Sequence, residues 1–248
     1  MILHIPHSSQ HIPKEVRQVI FLDDMELNEE LIRMTDAYTN ELFMFPGSVS
    51  VVFPISRLAV DPERFLDDAQ EPMAEKGMGV IYTKTSDGRP LRKPPLPDER
   101  EALIARFYVP HHRALEEAVG RELAENGSCV LVDCHSFPSH PLPCDLDQRV
   151  PRPEICLGTD DYHTPSALCD SVAGIFTSFG LEVAFNQPYA GCLVPLRYYR
   201  SDPRVRSIMI EIRRDLYMDE TWGEKTDRFD TTRGIIRRVL ESIETLNR

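Results

Sequence analysis

Four ionisable side chains stand at or near the ends of short apolar runs, and their types suit acid–base or metal chemistry. His7 follows the run Ile2–Ile5, in His4-Ile5-Pro6-His7-Ser8-Ser9. Asp133 and His135 close the run that begins at Cys129, in Val132-Asp133-Cys134-His135-Ser136. Glu211 interrupts the late run Ser207–Ile212, in Ile208-Met209-Ile210-Glu211-Ile212. A carboxylate buried in such a strand is costly unless it is paired, ligates a metal or transfers protons. Two histidines and one carboxylate also make the usual shell of a catalytic zinc, which keeps a fourth position for water. Each residue has a plainer reading as well. A histidine can be half-buried and hydrogen-bonded, Asp133 can fix the tautomer of a neighbouring histidine or cap the strand end, and Glu211 can face water from an edge strand. A second polar group, Ser56-Arg57 followed by Asp61-Pro62-Glu63-Arg64, leaves the next strand. Its arginines can form a carboxylate-binding fork, because guanidinium donates two parallel hydrogen bonds, or Arg57 and Asp61 can form a weak surface pair.

These groups need rigid elements behind them, and apolar periodicity supplies candidates. Ile2–Ile5 reads as a short strand stopped by Pro6. Leu27–Phe45 carries Leu27, Leu31, Met34, Tyr38, Leu42 and Phe45 at helical spacing and ends at Pro46-Gly47. Val49–Phe53 is a β-branched strand. Val80–Thr85, Ser86-Asp87-Gly88 and Arg89–Arg92 suggest a hairpin standing off the main body. Asp98 can cap a helix over Glu99–Phe107, and a second amphipathic helix follows Pro110 and runs to Asn126-Gly127. Cys129–Asp133 is the clearest buried strand. Residues 137–154, rich in proline, form a long irregular loop, and loops of that length in compact domains are usually functional. Ile155–Leu157, Leu181–Phe185 and Ser207–Ile212 read as further strands, Pro165–Phe179 and Thr231–Leu246 as helices. The alternation predicts one domain over residues 1–248, an α/β fold built as a three-layer α/β/α sandwich around a mixed, mostly parallel sheet. In such sheets ligands bind at the C-terminal strand ends, where His7, Asp133 and His135 lie.

Composition limits the partners. With 28 Lys+Arg against 40 Asp+Glu the formal charge is −12, and no basic cluster reverses it locally, so nucleic acid is not expected. Apolar runs such as Val49–Phe53 are too short to span a bilayer, and the N-terminus lacks the pattern of a signal peptide. The six cysteines show no CxxC pair or disulfide framework, which points to reduced thiols and a cytoplasmic location.

Read together and in order, the polar stretches resemble the N-formylglutamate amidohydrolase (N-formylglutamate deformylase) family. The pieces are Ile5-Pro6-His7-Ser8, Thr35-Asp36, Ser56-Arg57, Val60-Asp61 with Arg64, and Asp87-Gly88-Arg89-Pro90-Leu91. They continue with Pro110-His111-His112-Arg113-Ala114-Leu115, Asp133-Cys134-His135-Ser136, Leu157-Gly158-Thr159-Asp160, Asn186 with Tyr189-Ala190-Gly191, and Ile210-Glu211-Ile212 before Leu216-Tyr217-Met218. No single piece is specific; the ordered set is.

The resemblance implies a zinc-dependent amide hydrolase with a phosphorylase/hydrolase-like fold similar to zinc carboxypeptidases and aspartoacylase. It implies one zinc ion, or another divalent metal, held by His7, His135 and a carboxylate. Where the carboxypeptidase-like pattern has a Glu three residues after the first His, this chain has Gln10, so Asp36 in the Thr-Asp motif is the expected third ligand. Glu211 matches the late-strand general base. Arg57 and Arg64, with Arg197 in Pro195-Leu196-Arg197-Tyr198 as a third candidate, match the task of anchoring the carboxylate of a small anionic substrate such as N-formylglutamate. Asp61-Pro62-Glu63-Arg64 is similar to an Asp-x-Asn-Arg element, with Glu63 in place of Asn. Loop 137–154 and segment 80–92 would wall the site, and His112 would approach it from a helix start or cap that helix. The rivals are an amidase or metallopeptidase for larger N-acyl or peptide amides, and a binding protein of the same fold without catalysis.

Overall fold

The structure is a computed structural model that describes residues 1–247. Six strands form one sheet: β1 (Ile2–Ile5), β2 (Val49–Val52), β3 (Cys129–Phe137), β4 (Ile155–Gly158), β5 (Val183–Phe185) and β6 (Val205–Arg213), in the order β2-β1-β3-β6-β4-β5. β2, β1, β3 and β6 run parallel; β4 is antiparallel to β6 and parallel to β5, so the sheet is mixed but mostly parallel. The helices are α1 (Lys14–Arg17), α2 (Asp24–Met34), α3 (Thr39–Leu42), α4 (Pro97–Leu103), α5 (Val109–Asn126), α6 (Ser166–Ser178) and α7 (Phe229–Asn247).

Strand side chains alternate between faces, and both faces are covered. Leu3, Ile5, Val130, Val132, Ile208 and Ile210 pack against α3, α6 and α7. In α7, Ile236, Val239, Leu240 and Ile243 recur at helical spacing and are fully buried. On the other face Ile2, Val51, Leu131 and Val205 pack against Leu115, Ala118 and Val119 of α5. The expected three layers are therefore present. No helix among the described residues is long and apolar enough to cross a membrane, and all six cysteines are free thiols.

Three elements differ from expectation. The helix expected over Leu27–Phe45 is broken: α2 ends at Met34, Thr35 is extended, and Tyr38 takes a left-handed conformation (φ 66°) before α3. The break is held by tertiary contacts, since the Asp36 amide donates to the His7 carbonyl (3.0 Å) and the Tyr217 hydroxyl to the Ala37 carbonyl (2.9 Å). Residues 80–92 do turn at Ser86-Asp87-Gly88, but with only a single bridge between Lys84 and Pro90. They do not stand off the body either. Val80, Tyr82 and Leu91 are fully buried in a second core with Leu58, Val60 and Met78, because that segment is too apolar to leave in water. The two helices expected around Pro110 form one continuous run, in which α4 passes through a π-helical turn (Ile104–Tyr108) into α5. Proline lacks an N–H and crowds the preceding turn, and the wider turn accommodates it.

Candidate metal centre

The face of the sheet that meets α5 carries the polar groups. His4 of β1 lies beside Asp133 of β3, and His135 of β3 lies beside Glu211 of β6, each pair directly across the ladder. Alternation then puts all four on one face, and His7 enters just past the end of β1. All five are buried. β3 reaches Phe137, so it carries His135 within the strand rather than on a loop.

Ligand-capable atoms of His7, Glu63 and His135 lie within 4.8 Å of one another. His7 Nδ1 is 3.6 Å from Glu63 Oε2, and His135 Nε2 is 3.2 Å from Glu63 Oε1. Behind His7 stands one carboxylate, whereas His135 meets one at each nitrogen, Asp36 at Nδ1 and Asp133 at Nε2 (3.0 Å). His7 Nε2–H donates to Asp61 Oδ1 (2.9 Å), and His135 Nδ1–H donates to Asp36 Oδ2 (3.1 Å). Carboxylate partners on the far nitrogen are what orient metal-binding histidines. His7 Nδ1 itself is buried and has no hydrogen-bond partner among the described residues. A lone pair in that position costs free energy unless something electropositive meets it. Two imidazoles, a carboxylate and this orphaned nitrogen fit a divalent cation.

Charge follows the same arrangement. Burial disfavours an imidazolium at His135, but Glu63 and Asp133 outweigh it and hold this imidazole well above its ordinary value. Burial would also raise Asp36, yet His135, His7 and Arg214 hold it well below the usual carboxylate range. Arg214 donates to Asp36 Oδ1 (2.9 Å) and to the Arg33 carbonyl (2.6 Å), which locks the broken helix onto β6. Glu211 differs: burial pushes its carboxyl up to about 8, only partly opposed by His135, and its Oε2 has no partner among the described residues.

These groups open into a cavity of about 1080 Å³, also lined by Arg33, Arg57, Arg64 and Arg214 and walled by Leu142, Asp145 and Leu146 of loop 137–154. A profile of the N-formylglutamate amidohydrolase family matches residues 1–218. The chain belongs to that family. Family resemblance extends to curated and solved proteins. The chain is 28% identical to an N-formylglutamate deformylase of Pseudomonas aeruginosa, over 98% of this chain and 92% of the relative. It is 23% identical to one of Pseudomonas putida, over 98% and 91%. The crystal structure of an N-formylglutamate amidohydrolase from Ralstonia eutropha JMP134 superposes with a TM-score of 0.85 at 26% identity, covering 99% of this chain and 92% of that one. A gene product of Agrobacterium tumefaciens (TM-score 0.69, 22% identity, covering 98% and 91%) shares the fold.

Within this amidohydrolase chain the residues singled out from sequence separate clearly. His7, Asp36, His135, Glu211, Arg57 and Arg64 are brought together at the cavity. Arg197 is not: its side chain is 68% exposed, pairs with Glu116 (3.3 Å) and is not part of the cavity lining. Arg57 is present but occupied, since its Nε and Nη2 donate to Asp61 Oδ2 (3.2 and 2.8 Å). Asp36 touches both histidines yet falls outside the converging set, where Glu63 stands instead. His112 donates to the Pro62 carbonyl (2.7 Å) and so pins the segment that presents Glu63. Gln10 is exposed and not part of the cavity lining.

Sequence reasoning passed over four contributors. His4 donates Nδ1–H to Asp133 (2.8 Å), and its Nε2 meets His111 Nε2 (2.9 Å). Burial and the neighbouring His4 push His111 down to about 2, so it stays neutral. The remaining two are Arg214 and Tyr82. A polar residue inside the otherwise apolar run Ile2–Ile5 was a usable signal for His4; no local signal marks Tyr82.

Proposed function

We propose that this chain is a zinc-type, divalent-metal-dependent amidohydrolase. It would cleave the N-formyl amide of an acidic N-formyl amino acid such as N-formylglutamate, releasing formate and the free amino acid. The observation that carries the reading is the convergence of His7, Glu63 and His135 beside Glu211, whose Oε2 has no partner among the described residues, in an arginine-lined cavity of a family member. Glu63, with His7 and His135, is the third ligand this geometry supports; Asp36 orients His135 from behind. When bound, the cation supplies Lewis acidity toward an amide carbonyl and toward water, and its charge favours the ionised form of Glu211.

The chain's own residues do the rest. Glu211 takes the proton of the attacking water and returns it to the leaving amine nitrogen, a base-then-acid role that suits a carboxyl raised from its ordinary value. Arg64 anchors the substrate carboxylate. It lines the cavity, approaches Asp61 only to 3.5 Å, and its Nε is buried without a hydrogen-bond partner among the described residues. Arg57 supports Asp61 instead of reaching the substrate. These positive groups give an anion a local welcome that the −12 overall charge does not.

The test is formate and amino-acid release from N-formylglutamate, before and after removal of metal by a chelator. Hydrolysis that stops on chelation and returns with added zinc is expected; no release under any metal condition would overturn the reading. Arg64→Met should raise KM for N-formylglutamate by roughly 10- to 100-fold, the usual loss for a charge-assisted hydrogen bond, with a smaller effect on kcat. A drop confined to kcat would remove Arg64 from substrate binding. The cavity volume favours one second reading: about 1080 Å³ is more than a small N-formyl amino acid fills. N-acyl glutamates of increasing acyl length, assayed in parallel, decide between the two.

A further inference from the structure

Asp61 is fully buried and every lone pair of its carboxylate faces a donor. Its Oδ1 accepts from His7 Nε2 (2.9 Å) and from the backbone N–H of Glu63 (3.0 Å). Its Oδ2 accepts the Tyr82 hydroxyl (2.6 Å) and both Arg57 donors. Arg57 Nε also donates to the Tyr82 oxygen (3.1 Å), which directs the single phenolic proton toward Asp61. One carboxylate thus sets the ring orientation of His7 and the backbone position of Glu63, and the Tyr82 hydroxyl from a distant segment, together with Arg57 one turn before it, prevents it from rotating. Tyr82 is itself fixed, because its ring is fully buried and Arg92 Nε donates to its carbonyl (2.6 Å).

We infer that Tyr82 and Asp61 are positioning residues of the metal centre: through the Tyr82–Asp61–His7 chain they hold His7 as the Nε2–H tautomer with Nδ1 aimed at the cation, and through Asp61 they hold Glu63 beside it. This rests on the reading of His7 and Glu63 as ligands. Tyr82→Phe removes one hydroxyl and keeps the ring. It should weaken zinc binding, read by competition with a chromogenic chelator, by about 10- to 100-fold, the range for partners behind metal ligands. It should also alter the visible spectrum of the cobalt-substituted protein. A merely structural role is separated by Ile243→Val, which loosens the α7 core far from Asp61 and should keep the parent zinc affinity and cobalt spectrum. If Tyr82→Phe binds zinc as tightly as the parent, or weakens it no more than Ile243→Val does, the inference is wrong while the ligand assignment stands. If the parent chain binds no zinc, both fall. Should Tyr82→Phe fail to fold, ¹⁵N NMR of the parent without metal still decides: His7 protonated at Nε2 is expected, and protonation at Nδ1 would overturn the inference.

Discussion

Glu211→Gln is expected to keep the metal and lose about 10²- to 10⁴-fold in kcat on N-formylglutamate, the span general-base removal usually costs. Glutamine has the same shape but cannot take a proton from water. Among the described residues Glu211 makes no ion pair that the change would strand, and its Oε2 has no hydrogen-bond partner. The fold should therefore tolerate the substitution, and the sign of the stability effect follows from burial. In the metal-free protein the folded carboxyl sits at about 8 against an ordinary 4.5. Its protonated form is the one folding favours, so the stability it contributes is complete below about 4.5 and is lost as pH rises through about 8. Glu211→Gln should be at least as stable as the parent at pH 8, and its stability should fall less steeply between those limits, as read by urea unfolding without metal. A variant with unchanged turnover would take Glu211 out of the mechanism. One that no longer holds metal would make it a ligand.

The second large effect separates two carboxylates. Glu63→Gln should cost more than about 100-fold in zinc affinity, beyond what partners behind ligands account for, and hydrolysis should fall with metal content. Asp36→Asn should cost only about 10- to 100-fold, because it weakens the contact that orients His135 and leaves Arg214 underpaired without removing a ligand. Metal content after dialysis and chelator competition on both variants measures the ranking. If Asp36→Asn stripped the metal while Glu63→Gln kept it, Asp36 would be the third ligand.

The contrast between these carboxylates shows what the sequence made legible. His7, His135 and Glu211 could be found because each stands on a strand or just past its end, and strand order alone brings these positions together. The layers were readable for the same reason, since Val130, Val132 and Leu131 alternate between two covered faces. Glu63 and Asp36 depend on irregular backbone. The apolar spacing of Leu27–Phe45 gives no hint of the break at Thr35–Tyr38, which is held by a carbonyl from His7 and by Arg214, neither of them local. The role of Glu63 follows from two contacts on its own short segment: its amide donates to the Asp61 carboxylate, and His112 donates to the Pro62 carbonyl. Arg197 shows the converse error. Its composition suits substrate binding, but it falls on an exposed segment and pairs with Glu116.

The most direct test is anomalous diffraction at the zinc edge from crystals of the zinc-loaded parent protein. A single strong peak about 2.0–2.2 Å from His7 Nδ1, His135 Nε2 and a Glu63 oxygen, with Glu211 facing the open position, is the expected result. A peak elsewhere, or imidazoles of His7 and His135 turned away from one another around an empty centre, would contradict it.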